Sequence, residues 1–409
     1  MKPSSDETLF AAALALPPAE RATYLDHACL NDAALRARVE ALLSVAESAR
    51  GFMETSPLAP AAAARREAPA GASPEEKPGD RIGRYKLLQR LGEGGCGVVH
   101  VAEQEEPVRR RVALKVIKLG MDTKEVIARF EAERQALALM DHPNIAKVLD
   151  AGATATGRPF FVMELVRGIP LTKFCDENNL PTADRLKLFT AVCHAIQHAH
   201  QKGIIHRDIK PSNILVTLHD GEPVPKVIDF GIAKATAGRL TDSTLYTAFE
   251  QFIGTPAYMS PEQAELSGLD IDTRSDIYSL GVLLYELLTG RTPFDPAELL
   301  KLGLDTMRRH IREVDPPRPS TRLSTLQGDA LTATAKRRQI AAPKLINLIR
   351  GDLDWIVMKA LEKNRSRRYE TANALADDIA RHVAHEPVAA CPPSAAYRLS
   401  KLVRRHKLG

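Results

Sequence analysis

The chain has 409 residues, of which 44% are hydrophobic and 26% charged, so its length allows two or three folded units of ordinary globular composition. Its net charge of +5 is a mild excess, and the basic residues form no stripe interleaved with aromatic residues, which argues against a nucleic-acid partner. The five cysteines are scattered without a CxxC pair, a pattern typical of a reducing compartment rather than of a disulfide framework or a zinc site.

No part of the chain contains a run of about 18 apolar residues, so we expect no membrane span within it. The start, from Met1 to Thr8, carries Asp6 and Glu7 and lacks a basic region, which argues against a signal peptide. These features predict a cytoplasmic chain, with membrane association only if the natural protein continues into an anchor beyond residue 409.

Two segments precede the first β-rich run. Residues 6–55 are predicted to form a small helical segment, because apolar residues recur at helical spacing, as at Leu35, Val39 and Leu42. We interpret this segment as a packing or linker element, with a partner-docking or autoinhibitory module as the alternative. Residues 56–80 are dominated by Ala, Pro, Gly and Glu, which predicts a flexible linker.

From Tyr85 onwards, short β-rich runs are punctuated by glycines, which predicts a small β-rich lobe over residues 85–167 with one helix at about 123–140. Residues 168–386 have mainly helical patterns and predict a larger helical lobe. Within that lobe, residues 316–350 are longer than a compact lobe requires, and we favour a disordered insert over a docking surface.

Residues 387–409 form a basic tail that contains no acid after Tyr397. The simpler interpretation is a solvated tail. The alternative is a juxtamembrane basic segment whose membrane helix lies beyond this chain.

The first chemical motif is a glycine-rich turn. Its residues are Gly92, Glu93, Gly94, Gly95, Cys96, Gly97, Val98 and Val99. Glycines let backbone amides approach phosphates closely, because a Cβ would obstruct them. Alone, the motif also fits a dinucleotide-binding turn, but such a turn opens a helix, whereas a predicted strand over 98–101 follows here. The turn is therefore predicted to bridge two strands.

The second motif is a lysine, Lys115, at the end of the apolar run Val112-Ala113-Leu114. A lysine after a strand is usually a solvated surface residue, but one that follows a buried strand and a glycine-rich turn can reach phosphates. Glu133, in the predicted helix, is its expected ion-pair partner.

The third motif, His206 to Asn213, supports the assignment most strongly, because five specified positions at fixed spacing rarely occur together by chance. Asp208 can accept the proton of an attacking hydroxyl, and Lys210 can neutralise phosphate charge. Asn213 can ligate magnesium. The fourth motif adds Asp229, delivered by an apolar strand and followed by Phe230 and Gly231, whose carboxylate suits a hard cation.

The fifth motif is Gly254-Thr255-Pro256-Ala257-Tyr258-Met259-Ser260-Pro261-Glu262, followed by Gln263. In this order the five motifs resemble eukaryotic-type Ser/Thr protein kinases, and the spelling of the fifth is similar to that of bacterial members. The resemblance implies an α+β bilobal protein kinase fold over 85–386 and transfer of the ATP γ-phosphoryl to protein Ser or Thr hydroxyls. The N-terminal helices and the Ala/Pro linker look like planctomycete kinases.

The resemblance implies a role for each matching residue. Asp208 is the catalytic base, with Lys210, Lys115 and Glu133 as the other catalytic residues, and Asn213 with Asp229 holds Mg²⁺, with Mn²⁺ as the alternative. The implied nucleotide-binding residues are Leu91, Gly92, Glu93, Gly94, Gly95, Cys96, Gly97, Val98, Val99, Ala113, Lys115, Met163, Glu164, Val166 and Leu215.

The resemblance also implies structural pairs and a stacked column. Glu262 would pair with Arg368, and Asp276 would brace the catalytic loop. The residues that match the apolar column linking the lobes are Leu137, Val148, His206 and Phe230. Specificity for Ser/Thr over Tyr follows from Lys210 and Thr255, which occupy positions where tyrosine kinases carry other residues.

Arg207 precedes the base, and in the family such an arginine pairs with an activation-loop phosphate. We therefore expect autophosphorylation, with self-association as its route, at Thr247 or Thr244 of a cluster that also includes Thr241 and Ser243. The alternatives to a protein kinase are a pseudokinase or scaffold module and a small-molecule kinase. The pseudokinase is disfavoured because Lys115, Asp208, Asn213 and Asp229 are all present. The small-molecule kinase is disfavoured because the fifth motif supports a peptide substrate.

Overall fold

The computed structural model describes residues 76–94, 97–117, 140–230, 256–265, 271–326 and 328–392, with single residues at 24, 25, 28, 29, 36, 39, 137, 397 and 401. It divides into two compact units, Met1–Ala72 and Ser73–Gly409. In the first unit, every described residue except Cys29 is helical, and Leu25 and Val39 are buried. The predicted boundaries 6–55 and 56–80 stay predictions.

The second unit begins with an antiparallel sheet of six strands in the order β1-β2-β3-β4-β6-β5. The strands are β1 (Arg81–Ile82), β2 (Tyr85–Gly94), β3 (Gly97–Gln104), β4 (Arg110–Ile117), β5 (Val148–Ala153) and β6 (Pro159–Glu164). Apolar side chains of the central strands form a small core in which Leu87, Val112 and Val162 are fully buried. The glycine-rich turn joins β2 to β3, so the predicted strand-to-strand bridge is confirmed and the dinucleotide-binding alternative is wrong.

The last residues of the predicted linker contact this sheet. The Gly79 amide donates to the Leu87 carbonyl over 2.8 Å, and the Leu87 amide donates to the Asp80 carbonyl over 2.9 Å. Glu76 forms an ion pair with the buried Arg158 at the start of β6. The segment 76–80 is therefore attached to the strand that leads into the glycine-rich turn.

The rest of the unit is mainly helical, which confirms the predicted second lobe. Its helices are α1 (Leu171–Glu177), α2 (Thr182–Gln201), α3 (Pro261–Ala264), α4 (Thr273–Thr289), α5 (Pro296–Lys301), α6 (Leu304–Glu313), α7 (Pro319–Thr325), α8 (Asp329–Lys336), α9 (Ala342–Ile349), α10 (Asp352–Ala360) and α11 (Ala372–Val383). Helix α4 lies at the centre and is buried along nearly its whole length. Gly281 lets α4 approach α10 closely, because a Cβ there would lie 2.8 Å from the Ala360 Cβ.

A second, three-stranded sheet contains the chain between the third and fourth motifs. Its strands are β7 (Ile169–Pro170), β8 (Ile214–His219) and β9 (Glu222–Val227). The end of β9 is tied to the chain before β5, because Val227 forms a parallel bridge with Ile145 and the Ala146 amide donates to the Val227 carbonyl over 2.9 Å. This contact fixes the position of the Asp229 motif relative to both lobes.

The structure corrects the expectation of a disordered insert over 316–350. Helices α7 to α9 occupy this segment, and Leu323, Leu345 and Ile349 are fully buried. Even a basic residue takes part in the packing, since Arg338 is 2% exposed and donates to the Leu287 carbonyl over 2.8 Å. The basic composition of the segment suggested a solvated stretch, but its apolar residues recur at helical spacing and are buried, so the segment is folded.

The tail over 387–409 is also not simply solvated at the residues that the structure describes. Val388 is 5% exposed, and the amides of Ala389 and Ala390 donate to the buried Asp378 over 2.7 and 2.9 Å. Lys401 is 6% exposed and forms an ion pair with Asp352. Across the described part of the chain, no helix has both the length and the apolar character needed to cross a membrane.

Candidate active site

The glycine-rich turn forms an open edge of the small lobe. Leu91, Gly92, Glu93 and Gly94 are exposed at the end of β2, and Gly95 and Cys96 lie outside the described residues. Gly97, in contrast, packs tightly, since a Cβ there would lie 2.3 Å from the Val116 carbonyl oxygen. Only glycine therefore permits this spacing between β3 and β4.

Lys115 lies on β4 and points toward Asp229. The side chain of Lys115 is 10% exposed, and its Nζ forms an ion pair with Asp229 Oδ1. Glu133, the predicted partner of Lys115, lies outside the described residues, so that pair stays a prediction. The Lys115–Asp229 contact links the small lobe to the residue expected to hold metal.

The predicted adenine-side residues come from four strands. Val99 lies opposite Lys115 in the β3–β4 register, and Ala113 lies opposite Met163 in the β4–β6 register. Leu215 lies on β8 and is half-buried, and Val166 follows β6 in the connector between the lobes. Met163 lines a cavity together with Lys115, and Val98 lies beside Val99 on β3. The adenine contacts of the other residues stay predictions.

The connector carries an ion pair that the sequence reasoning missed. Lys226 on β9 donates to both carboxylate oxygens of Glu164 over 2.8 and 2.9 Å. The Glu164 amide also donates to the Lys147 carbonyl over 2.9 Å. The end of β6 is thereby attached to the strand that leads to Asp229. A lysine and a glutamate this far apart in the chain carry no local signal that they pair.

Asp208 lies in a turn where several polar groups converge. Asn213 Nδ2 donates to the Asp208 carbonyl over 2.8 Å and to Asp208 Oδ2 over 3.0 Å, and Lys210 Nζ lies 2.8 Å from the same carboxylate oxygen. The Ile228 amide donates to the Asn213 carbonyl over 2.9 Å, which places Asn213 beside the Asp229 segment. Three of the predicted residues thus form one hydrogen-bonded group.

The buried Asp276 braces this turn, as predicted. Its carboxylate accepts from the amides of His206 and Arg207, each over 2.8 Å, and Oδ2 lies 2.8 Å from His200 Nε2. Burial by itself would raise the pKa of Asp276, but the hydrogen bond with His200 and the neighbouring His206 outweigh burial and lower that pKa. Asp276 therefore stays ionised and holds the two backbone amides. The contribution of His200 was not predicted.

The predicted apolar column is partly visible. The rings of His206 and Phe230 stack with centroids 4.6 Å apart, and His206 Nε2 lies 3.1 Å from the Ile228 carbonyl. Leu137, Val148 and Phe230 line one cavity between the lobes, next to Lys115. Burial lowers the pKa of His206, so its ring is neutral and can pack in this apolar setting.

The fifth motif is fixed by the predicted buried ion pair, which is confirmed. Both Nη atoms of Arg368 donate to the Glu262 carboxylate, over 2.7 and 2.8 Å, and Arg368 is 3% exposed. Ser275 donates to the same carboxylate over 2.6 Å. Burial would raise the pKa of Glu262, but the hydrogen bond from Arg368 outweighs it and lowers the pKa. Gly254 and Thr255 lie outside the described residues.

The arrangement brings together the groups that phosphoryl transfer needs. The Asp208 carboxylate lies beside the Asn213 amide and Lys210, and the Asp229 carboxylate pairs with Lys115. The hydrogen bond from the Ile228 amide to the Asn213 carbonyl joins the two groups. The chemistry of such a group is positioning and neutralisation of charge rather than covalent catalysis.

Comparisons with known proteins agree with this geometry. Residues 85–379 match the family model of the protein kinase domain. The chain is 37% identical over 310 residues to the serine/threonine-protein kinase PknB of Mycobacterium leprae, an alignment covering 74% of this chain and 44% of PknB. It is 34% identical over 311 residues to the serine/threonine-protein kinase Pkn1 of Myxococcus xanthus, covering 75% of this chain and 40% of Pkn1. The chain thus spans less than half the length of these relatives.

Among solved structures, the PknI kinase domain of Mycobacterium tuberculosis superposes with a TM-score of 0.53 at 26% sequence identity. The alignment covers 76% of this chain and 99% of the PknI domain. These matches bear out the predicted bilobal fold and the bacterial eukaryotic-type kinase likeness, while the planctomycete detail stays a prediction. With a family model matching most of its length, the chain belongs to the protein kinase domain family.

Proposed function

We propose that this chain is an active Ser/Thr protein kinase that transfers the γ-phosphoryl of ATP to Ser or Thr hydroxyls of protein substrates. The observation that carries the proposal is the hydrogen-bonded group of Asp208, Lys210 and Asn213 beside Asp229. The fifth motif supports a peptide substrate, and the curated relatives are named serine/threonine-protein kinases.

The residues present fit a nucleotide with a divalent cation. A Cβ on Gly97 would collide with the Val116 carbonyl, so the absence of a side chain keeps the backbone of the glycine-rich turn close to β4. Asn213 Nδ2 is bonded to Asp208, so its Oδ1 can face a metal together with the Asp229 carboxylate. Oxygen ligands of this kind suit Mg²⁺, with Mn²⁺ as the alternative. A bound cation would neutralise phosphate charge.

In the proposed mechanism each protein group has one task. Asp208 accepts the proton of the substrate hydroxyl as the hydroxyl oxygen forms a bond to the γ-phosphorus. The bond from that phosphorus to the β,γ-bridging oxygen breaks in the same step, and ADP leaves. Lys210, 2.8 Å from Asp208, neutralises charge on the transferred group. Lys115 holds the α- and β-phosphates once its ion pair with Asp229 is replaced by one with the nucleotide. The backbone near Glu164 and Val166 receives adenine, whose ring lies between Ala113 and Leu215.

The test compares wild type with Asp208→Asn in transfer of labelled γ-phosphate to a generic basic protein. We expect the variant to lose activity by on the order of 10²- to 10⁴-fold, because it lacks the base. Nucleotide affinity should persist, since Asn preserves the size of the side chain. Equal incorporation by both proteins would contradict the assignment of Asp208 as the base, whereas no incorporation by wild type would support the pseudokinase alternative.

Regulation is part of the proposal. Arg207 is half-buried, and we expect it to pair with a phosphate on the loop between the fourth and fifth motifs. Thr244 and Thr247 of that loop lie outside the described residues. We expect phosphate at one of these threonines after incubation with ATP, through self-association. Mass spectrometry that finds none, with full activity retained, would remove this part of the proposal.

A further inference from the structure

Arg207, the residue before the proposed base, has an unusual backbone. Its φ is 62°, in the left-handed region that a non-glycine residue rarely adopts. Such a conformation persists only where surrounding contacts hold it. Because Arg207 and Asp208 share a peptide bond, whatever holds Arg207 also sets the direction of Asp208.

Two side chains hold the backbone of Arg207 from opposite sides. The amide of Arg207 donates to Asp276 Oδ1 over 2.8 Å, and the carbonyl of Arg207 accepts from Gln263 Nε2 over 2.9 Å. That carbonyl belongs to the peptide bond that enters Asp208. Asp276 is the residue predicted from the sequence to brace the catalytic loop, whereas the sequence predicted no role for Gln263.

The orientation of the Gln263 amide is fixed by a second set of contacts. Gln263 closes a capping box at the start of α3: its Oε1 accepts from the Ser260 amide over 3.0 Å, and its own amide donates to Ser260 Oγ over 3.3 Å. Since Oε1 is used by Ser260, Nε2 necessarily faces the Arg207 carbonyl. One side chain thus joins the fifth motif to the catalytic turn.

We propose that Gln263 is a positioning residue for Asp208, joining the peptide-binding segment Pro256–Ala264 to the base through the Arg207 carbonyl. The inference rests on the proposed role of Asp208. The Gln263 amide then gives a direct contact between the segment that receives the protein substrate and the turn that carries the base.

The chemistry of the capping box offers a variant that separates the two contacts. In Gln263→Glu a carboxylate can still accept from the Ser260 amide, because glutamate is a preferred residue at this position of a capping box. It has no hydrogen to donate to the Arg207 carbonyl. We expect kcat to fall roughly 10- to 100-fold from misplacement of the base. The KM for ATP and the melting temperature should stay close to wild type.

Two controls distinguish positioning from a loss of stability. Gln263→Ala removes both contacts and should lose kcat as Gln263→Glu does, while also lowering the melting temperature. Thr371→Ala removes the cap of α11, where Thr371 Oγ1 accepts from the Ala374 amide over 3.1 Å, and should lower the melting temperature without changing kcat. A wild-type kcat in Gln263→Glu, or a loss of kcat that follows melting temperature across all three variants, would overturn the proposal.

A readout without catalysis keeps this test separate from the proposed function. Hydrogen exchange of the backbone over residues 204–213 should be faster in Gln263→Glu than in wild type or Thr371→Ala. Unchanged exchange there contradicts the positioning role. If wild type and Asp208→Asn transfer phosphate equally, the role of Asp208 as the base fails instead, and the exchange experiment still decides whether Gln263 holds the turn.

Discussion

At the scale of single residues, the site depends on buried charges whose partners are specified by geometry. The pair Glu262–Arg368 is bidentate, and Arg368 Nη1 also donates to the Arg274 carbonyl over 2.8 Å. Asp276 is compensated by two backbone amides and His200. Removing one partner from such a group leaves an unpaired charge in a region that water does not reach, which costs more than the pair itself contributes.

Arg368→Ala should therefore lower the free energy of unfolding by about 3–5 kcal/mol, because the Glu262 carboxylate would stay buried without its partner. Denaturant titration measures this. The matched control is Arg81→Ala, which removes the ion pair between Glu105 and Arg81, whose side chain is 61% exposed. This variant should change the free energy of unfolding by about 0–1 kcal/mol. Similar losses in the two variants would contradict the assignment of Arg368 as a buried anchor.

Glu286 should make stability depend on pH. It accepts a hydrogen bond from Tyr258 of the fifth motif, and burial, with Asp176 adding to it, raises its pKa from 4.5 to about 7. Because the folded-state pKa is the higher one, the contribution of Glu286 is complete below about pH 4.5 and is lost as pH rises toward 7. In Glu286→Gln the melting temperature should fall less over this window than in wild type. Glu370→Gln, at an exposed carboxyl, serves as control and should reproduce the wild-type profile.

At the scale of elements, the glycine-rich turn depends on one close contact between strands. Gly97 lies opposite Ile117 where β3 and β4 pair, and its Cα is too close to the Val116 carbonyl for a side chain. Gly94, on the other side of the turn, has open space at its Cβ position. Both glycines belong to the glycine-rich turn, but only at Gly97 would a side chain collide with a neighbouring strand.

Gly97→Ala should lower stability by about 1–3 kcal/mol and raise the KM for ATP, because β3 must move away from β4 to admit a methyl group. Gly94→Ala should be milder in stability, since nothing lies within 4 Å of its Cβ position. Thermal unfolding and ATP titrations of the two variants provide the comparison. A larger loss of stability in Gly94→Ala would contradict the packing argument.

At the scale of the whole molecule, the second unit extends beyond the residues that match the family model, which end at 379. Two buried carboxylates, Asp352 and Asp378, hold the chain that follows α11. Asp352 accepts from the Tyr397 hydroxyl over 2.9 Å, lies 2.9 Å from His382 Nδ1 and pairs with Lys401. The Tyr397 ring packs edge-on against Trp355, with centroids 5.3 Å apart.

Tyr397→Phe should lower the free energy of unfolding by about 1–3 kcal/mol, because it leaves Asp352 with one hydrogen bond fewer while keeping the contact with Trp355. Burial would raise the pKa of Asp352, but hydrogen bonds from His382, Lys401 and Tyr397 outweigh it and lower that pKa to about 2. The stabilisation is therefore present above about pH 4 and is lost as pH falls toward 2. Unfolding curves of wild type and Tyr397→Phe that coincide at pH 7 would show that the tail is not held by this contact.

The sequence alone predicts the proposed chemistry, because the residue types at the five motifs each have an expected task in phosphoryl transfer, and their order and spacing limit the alternatives. The roles of Asp208, Asn213 and Asp229 could be predicted before any contact was known, and the predicted pair of Glu262 with Arg368 is confirmed. The two-lobed fold also followed from the change between β-rich and helical patterns.

Tertiary structure decided the contacts between residues that have no local pattern. The donation from Gln263 to the Arg207 carbonyl, the pair of Lys226 with Glu164 and the docking of Lys401 on Asp352 each join segments distant in the chain. Residues 316–350 and the tail looked solvated because their charge is visible in the sequence, whereas the apolar and carboxylate partners that bury them are supplied by other helices. Composition gives the charged and apolar residues of a segment, but whether these residues are buried depends on which other segments pack against them.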